Sequence, residues 1–231
     1  MIRNIFWDID GTLLDFSKSE NAAIKSALGT AGIPFTEEDA ERYSVINDNR
    51  WKRFERGEID RTEVCVGRFA ELFEVMGVTG TDPEVFHEIY RKALADTYFF
   101  SDGSPEILDR LNRKGIRQFA VTNGNTFVQE RKLRLSGLDK RFEQVFISEK
   151  IGSRKPLAEF FDLVFAALPD VKRDECVIVG DSLSSDILGG NNASIIAVWY
   201  NPKGEENGGA ARPDYEIASL DDLDALLESI K

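Results

Sequence analysis

Histidine and cysteine are scarce in this sequence. One His and two Cys occur among 231 residues, and Cys65 and Cys176 lie too far apart to form a close-spaced metal-binding motif. A zinc finger and a histidine-rich metal site are therefore excluded. We expect both thiols to be reduced, as is usual for cysteines in the cytoplasm.

Basic side chains and long apolar runs are also few. The 29 Lys and Arg residues are outnumbered by 41 Asp and Glu residues, which gives a net charge of −12. Such a chain lacks the basic surface with which proteins bind nucleic acid polymers. No apolar run approaches the ~20 residues of a membrane-spanning helix, and residues 1–8 do not have the pattern of a secretory signal. We therefore expect a cytoplasmic protein with neither a nucleic acid nor a membrane partner.

Short apolar segments recur along the chain and predict strands. Hydrophobic residues make up 42% of the sequence, which is enough for a sizeable core. The predicted strands are Ile2–Ile9, Gly115–Thr122, Gln144–Ser148, Cys176–Val179 and Ile195–Tyr200. Because these segments are apolar almost throughout, both faces of their sheet should be covered, as in a parallel sheet between helices.

Helices are predicted between the strands. Ser104, followed by a proline, is the predicted N-cap of one helix, and Ser219 with Asp222 predicts a capping box that opens the last one. Residues 157–168 repeat apolar positions at helical spacing. The glycine-rich stretch 202–213 is expected to be a loop.

One segment, residues 16–97, shows helical patterns only. We therefore predict an α/β fold with a Rossmann-like parallel sheet core formed by residues 1–15 and 98–231, into which residues 16–97 insert an all-helical domain. Four aromatic residues of the insertion fit packing between its helices, although one of them could instead stack on a substrate base. They are Trp51, Phe54, Phe69 and Phe73.

Polar side chains follow the predicted strands. They are Asp8 and Asp10 after the first strand, Thr122 and Asn123 at the end of the second, Lys155 after the third, and Asp181 and Asp186 after the fourth. Ligands of open parallel sheets bind beyond the carboxyl ends of the strands, so these side chains should converge at one edge. Each motif alone is more typical of a turn or a solvated side chain. Their occurrence together, in this order, favours a site.

The side-chain types in this set indicate a reaction class. Clustered carboxylates raise each other's pKa unless a cation neutralises them, and oxygen ligands without His or Cys suit Mg²⁺. A lysine and main-chain amides suit the oxygens of a phosphate group. The set therefore predicts phosphoryl transfer.

The same segments resemble the four motifs of the haloacid dehalogenase-like (HAD) hydrolase superfamily. They are Asp8-Ile9-Asp10-Gly11-Thr12, Thr122-Asn123-Gly124, Lys155-Pro156, and Gly180-Asp181-Ser182 with Asp186. The resemblance implies a HAD-like core with the helical insertion as its cap domain. It also implies that Asp8 is the nucleophile that becomes an aspartyl phosphate, and that Asp10 is the general acid and base.

The resemblance assigns roles to the remaining residues as well. It implies a Mg²⁺ cofactor held by Asp8, Asp10 through its main-chain carbonyl, and Asp181, with Asp186 as a ligand through water or as an orienting group. Thr122, Asn123 and Lys155 would hold the transferred phosphoryl group and stabilise its charge.

Further details narrow the implied substrate. Among members of the superfamily, an aspartate at the position of Asp10 is not expected in a dehalogenase or a phosphonate-cleaving enzyme. Thr12 likewise favours a phosphatase over a sugar-phosphate mutase. Residues 147–156 and 180–191 and the segment Trp199–Pro202 are similar to the house-cleaning pyrimidine 5′-nucleotidases. That similarity implies a nucleoside monophosphate substrate such as dUMP, UMP or dTMP.

Other functions remain open. The chain could be a phosphatase of another small metabolite, such as phosphoglycolate or a sugar phosphate, or, less in keeping with its motifs, a phosphomutase. It could also be a binding protein that has kept the fold without turnover. We expect a monomer or a homodimer.

Overall fold

The computed structural model of the chain describes residues 1–209 and 211–230. The chain divides into two compact units, one formed by Met1–Asp15 with Phe100–Lys231 and the other by Phe16–Phe99. The second boundary lies two residues after the expected position 97. Within the described residues, no helix is both long and apolar enough to cross a membrane.

The first unit contains a parallel sheet of six strands. They are β1 (Asn4–Trp7), β2 (Arg117–Thr122), β3 (Gln144–Ile147), β4 (Cys176–Gly180), β5 (Ile196–Tyr200) and β6 (Tyr215–Ile217). Their order in the sheet is β3-β2-β1-β4-β5-β6, and every neighbouring pair is parallel. The predicted α/β class is confirmed. The sequence reasoning missed β6, because this edge strand is three residues long and two of them are exposed.

Six helices accompany the sheet in the described part of this unit. They are α6 (Ser104–Arg113), α7 (Thr126–Ser136), α8 (Ser148–Ile151), α9 (Ala158–Ala167), α10 (Leu188–Ala193) and α11 (Asp222–Ser229). Short 3₁₀ turns cover Leu138–Lys140 and Arg173–Glu175, and a π-helical turn covers Leu183–Ile187. Residues 202–209 and 211–213 form the predicted loop, whereas Ala210 lies outside the described residues.

Two predicted helix starts differ from the structure. Ser104 is the first helical residue of α6 and not its N-cap, because Gly103 with a φ of 77° occupies the cap position. The main-chain N–H of Ser219 donates to Asp222 Oδ2 over 3.2 Å, as in a capping box, yet regular α11 geometry begins only at Asp222.

Alternating side chains of the strands build two apolar layers, because successive residues of a strand point to opposite faces of the sheet. On one face Phe6 lies 5.3 Å from Phe119 between ring centroids and 6.0 Å from Phe161 of α9. On the other face the indole N–H of Trp7 donates to Gln118 Oε1 over 3.0 Å. The Gln118 amide then donates to the carbonyl of Leu108 in α6. The central strands are thus covered on both sides.

The second unit consists of five helices around a buried polar network. The helices are α1 (Phe16–Thr30), α2 (Glu37–Glu55), α3 (Arg61–Cys65), α4 (Gly67–Met76) and α5 (Pro83–Ala95). The Glu20 carboxylate accepts hydrogen bonds from Ser44 and Asn47, and the Asn47 side-chain oxygen accepts one from Arg68 over 2.7 Å. The Arg68 guanidinium lies 4.8 Å from the ring centroid of Phe69. Because these polar side chains are buried, each must keep its hydrogen-bond partners. The network therefore determines how the helices pack against one another.

The four aromatic residues singled out in this unit differ in burial. Phe54, Phe69 and Phe73 are buried, as the packing interpretation predicts, and Trp51 is only partly buried. The Trp51 ring packs edge-on against Phe54. Of these four residues, Trp51 therefore has the most surface left for another contact.

Phe6→Ala should strongly destabilise the first unit. The ring is fully buried and contacts three other rings, so its loss leaves a cavity that costs about 3–5 kcal/mol. Urea unfolding measures this change. Leu163→Ala, at an exposed position of α9, is the matched control and should cost less than about 1 kcal/mol. Equal losses for the two variants would contradict this account of the core.

Candidate active site

The polar side chains gather where the strand order reverses. From β1 the chain passes to β2 and β3 on one side of the sheet; after β3 it crosses to β4 on the other side of β1 and continues to β5 and β6. Asp8 directly follows β1, and Asp181 directly follows β4. The Asp8 N–H donates to the carbonyl of Val179 over 2.9 Å, which keeps these two strand ends side by side. Such a reversal point leaves a crevice at the carboxyl edge of an open sheet.

Three carboxylates lie close together at this edge. Asp8, Asp181 and Asp186 each offer an oxygen, and these oxygens lie within 4.8 Å of one another. Asp8 and Asp186 are buried, and Asp181 is partly buried. These are three of the four carboxylates that the sequence places at this edge, and the Asp10 carboxylate is not among them.

Lys155 links two members of the cluster. Its Nζ lies 2.7 Å from Asp8 Oδ1 and 2.6 Å from Asp186 Oδ1, and it also donates to the carbonyl of Val121 over 2.8 Å. The other oxygen of Asp186 accepts a hydrogen bond from the Ser182 N–H. Lys155 is fully buried, so these contacts replace the water that its ammonium loses.

Burial and mutual charge shift the pKa values of these groups. Burial, and next the charge of Asp186, raise the pKa of Asp8 well above its usual range, and the Lys155 charge opposes this rise. Burial and the charge of Asp186 raise the pKa of Asp181 to about 7. Burial would lower the pKa of Lys155, but the charges of Asp186 and Asp8 outweigh it and raise that pKa.

The charge of this group suits a divalent cation. Three carboxylates and one ammonium sum to 1 − 3 = −2 when all are ionised. The donors are oxygens without histidine or cysteine, which is the set that Mg²⁺ prefers. Burial first, and then the charge of Asp186, raise the pKa of Asp8 and of Asp181, so Lys155 alone does not fully stabilise the ionised carboxylates. The residues present therefore fit Mg²⁺.

Two glycines make room for the clustered carboxylates. A Cβ atom at Gly11 would lie 2.3 Å from Asp181 Oδ2, and Gly11 has a φ of 97°, which disfavours other residues. A Cβ atom at Gly180 would lie 2.3 Å from the Asp186 carboxyl group. The glycines of the first and last motifs thus permit the close approach of the Asp181 and Asp186 carboxyl groups.

Polar neighbours orient Asp181. The hydroxyl of Thr12 donates to Asp181 Oδ1 over 3.1 Å, and the indole N–H of Trp199 donates to the Asp181 carbonyl over 2.9 Å. Thr12 of the first motif is therefore linked to the carboxylate cluster by its hydrogen bond to Asp181.

Thr122 and Asn123 stand at the end of β2. The Thr122 hydroxyl accepts a hydrogen bond from the Gly124 N–H over 3.0 Å. The Asn123 amide donates to the Lys155 carbonyl over 2.9 Å and to Ser185 Oγ over 3.2 Å, and its oxygen accepts from the Lys155 N–H over 3.0 Å. The Asn123 side chain therefore holds the loop that carries Lys155.

Asp10 faces a different set of partners. Its Oδ1 lies 3.0 Å from Lys132 Nζ, and its Oδ2 accepts a hydrogen bond from the amide of Gln129. The sequence reasoning missed these two residues of α7, although a signal was present. Val128 and Leu133 predict the buried side of the helix, and Gln129 and Lys132 fall on that same side.

Comparison with known proteins supports this description. Residues 2–194 match the family described as haloacid dehalogenase-like hydrolase. The chain is 35% identical over 219 residues to the pyrimidine 5′-nucleotidase PynA of Streptococcus pneumoniae (strain ATCC BAA-255 / R6), with 95% of this chain and 92% of that protein covered. It is 29% identical over 223 residues to the pyrimidine 5′-nucleotidase YjjG of Escherichia coli (strain K12), with 96% of both covered.

A solved structure resembles the whole chain. The crystal structure of the HAD-hydrolase YfnB from Bacillus subtilis bound to magnesium matches with a TM-score of 0.93 and 34% identity, and 98% of both chains is covered. The resemblance inferred from the motifs is thereby confirmed. Because the family match and these relatives span most of its length, the chain belongs to the haloacid dehalogenase-like hydrolases and is an enzyme that hydrolyses phosphoric monoesters.

Proposed function

We propose that the enzyme is a Mg²⁺-dependent phosphomonoesterase that works through an aspartyl phosphate on Asp8. The observation that carries this proposal is the buried contact of Lys155 with Asp8 inside the carboxylate cluster. A carboxylate held at a strand end by a cation is fixed in place for attack on a phosphorus atom. The same cation can stabilise charge on the transferred group.

Two steps complete the reaction. In the first, an Asp8 oxygen forms a bond to phosphorus while the bond from phosphorus to the leaving oxygen breaks, and the Asp10 carboxyl group gives its proton to that oxygen. In the second, the Asp10 carboxylate takes a proton from water as the water oxygen attacks phosphorus. The bond between phosphorus and Asp8 breaks, which releases inorganic phosphate and restores both aspartates.

Three residues would hold the phosphoryl group. Lys155 would supply positive charge and Thr122 a hydroxyl, as the motif resemblance implies. Both side-chain N–H groups of Asn123 are already used on Lys155 and Ser185, so we propose that Asn123 contacts the phosphoryl group through its main-chain N–H.

Mg²⁺ would be held by Asp8, Asp181 and the main-chain carbonyl of Asp10. Both carboxylate oxygens of Asp186 already accept hydrogen bonds, which supports a role through water or as an orienting group. When bound, the ion neutralises charge on the phosphate and the cluster.

We further propose that the substrate is a pyrimidine nucleoside monophosphate. This is supported by the segments around residues 147–156 and 180–191 and by the names of the relatives PynA and YjjG. The alternative substrates are phosphoglycolate and a sugar phosphate. We propose that the helical unit, residues 16–99, selects the leaving group.

Asp8→Asn should abolish turnover without unfolding the protein. An amide is a poor nucleophile, so kcat should fall by about 10³-fold or more. Release of p-nitrophenol from p-nitrophenyl phosphate measures this loss, and circular dichroism checks the fold. In the wild type, mass spectrometry after acid quenching should find phosphate on Asp8. Substantial hydrolysis by the folded variant would refute the covalent mechanism.

Asp181→Asn should stabilise the metal-free protein at about pH 8. The pKa of Asp181 is raised to about 7 on folding, above the ~4 of an unfolded chain. This group therefore costs stability increasingly as the pH rises from about 4 through 7, by on the order of 4 kcal/mol. In EDTA the Tm of the variant should exceed that of the wild type, and the difference should shrink as the pH is lowered to about 5.

Mg²⁺ should raise the Tm of this variant less than that of the wild type, because one carboxylate of the cluster is gone. Asp139→Asn, at an exposed position, is the control and should keep the wild-type pH dependence and Mg²⁺ response. An Asp181→Asn protein less stable than the wild type in EDTA at about pH 8 would contradict the repulsion argument.

The substrate proposal predicts higher kcat/KM for dUMP, UMP or dTMP than for the matching purine nucleotides. Phosphoglycolate and sugar phosphates should be assayed beside them under the same Mg²⁺ concentration. If one of these wins by about 100-fold, equivalent to ~2.7 kcal/mol of transition-state discrimination, the nucleotidase proposal is wrong and the phosphatase remains.

A further inference from the structure

Two buried side chains outside the four motifs hold Asp10. Lys132 is 0% exposed and Gln129 is 1% exposed. Lys132 Nζ lies 3.0 Å from Asp10 Oδ1, and the Gln129 amide donates to Asp10 Oδ2. Each oxygen of the Asp10 carboxyl group is therefore bound by one side chain of α7.

The position of α7 makes these contacts possible. The helix begins just after Thr122-Asn123-Gly124, and its start is fixed by the Thr126 N–H, which donates to Glu149 Oε2 over 2.7 Å. Gln129 and Lys132 are three residues apart, so they lie on one face of the helix. A Cβ atom at Gly124 would lie 2.1 Å from Gln129 Nε2, so the glycine of this motif leaves space for the amide to reach Asp10.

Stability alone does not explain a fully buried lysine at this position. Removing an ammonium group from water is costly, and a well-packed apolar residue of similar size often serves stability as well or better. The Gln129 Oε1 atom is buried and accepts no hydrogen bond from the described residues. The amide is thus oriented by Asp10 and not by a second polar partner of its oxygen.

We propose that Lys132 and Gln129 are positioning residues that fix the Asp10 carboxyl group for proton transfer to the leaving oxygen. This inference rests on the proposed role of Asp10 as general acid. A carboxyl group held at both oxygens cannot rotate away from the substrate, and proton transfer depends on this orientation. Loss of either contact impairs the step in which the leaving oxygen needs a proton.

Lys132→Met and Gln129→Met test the proposal, because methionine removes the donor while keeping an unbranched side chain as long as glutamine and one atom shorter than lysine. The measurement is kcat/KM for phenyl phosphate, a poor leaving group, and for p-nitrophenyl phosphate, an activated one. This parameter reports the steps up to departure of the leaving group. We expect about tenfold or greater loss with phenyl phosphate, within the ~10²–10⁴-fold that general acid catalysis contributes, and a much smaller loss with p-nitrophenyl phosphate.

A merely structural role would lower both values by the same factor. Arg134→Met removes a cation from the exposed side of the same helix and serves as the control, with both values unchanged. Lys132→Arg keeps a donor and should restore part of the activity with phenyl phosphate. Should Lys132→Met fail to fold, Gln129→Met still tests the proposal through the contact with the other Asp10 oxygen.

Asp10→Asn separates this inference from the proposed function. If Asp10→Asn itself shows no dependence on the leaving group, the role of Asp10 as general acid fails. If Asp10→Asn shows that dependence and the folded Lys132→Met and Gln129→Met proteins do not, the positioning role is overturned and the proposed function stands. Faster turnover in either methionine variant also overturns it, because the contacts would then hold Asp10 away from the substrate.

Discussion

Repulsion among three carboxylates is the constraint on which the rest of the site depends. Asp8, Asp181 and Asp186 lie close together at the edge of the sheet. Burial and the charge of the neighbouring carboxylates raise the pKa of Asp8 and of Asp181. Lys155 relieves part of this repulsion by contacting two of them, and its own pKa rises in consequence. The residual negative charge of this group suits the Mg²⁺ that the sequence pattern predicts.

The side chains of the site approach the main chain closely at three glycines, where any other residue would collide with them. Gly11 lies against Asp181, Gly180 against Asp186, and Gly124 against Gln129, each within a distance at which a Cβ atom would collide. Three of the four motifs thus contain a glycine because a neighbouring side chain, and not only a turn, leaves no room for a Cβ atom. A substitution there would displace a carboxylate or an amide before it disturbed the sheet.

The sequence predicted the strands that end in motifs because each is a buried apolar run followed by polar residues. Lys155 and Asp186 were assigned from the motif pattern, whereas their contact across 31 positions depends on how β3 and β4 lie in the sheet. β6 was missed because an exposed edge strand of three residues has little apolar periodicity. Lys132 was missed because a lysine on a helix is usually solvated, and only its place between Val128 and Leu133 on the buried side distinguishes it.

The two aspartates of the first motif differ in environment although they are two residues apart. In a continuing strand their side chains would point to the same face, but β1 ends at Trp7 and the chain turns through Gly11, whose N–H donates to the Leu14 carbonyl. Asp8 therefore meets Lys155, and Asp10 meets Gln129 and Lys132. One tight turn thus gives two identical carboxyl groups separate partners, and the proposed division between bond formation with phosphorus and proton transfer rests on this separation.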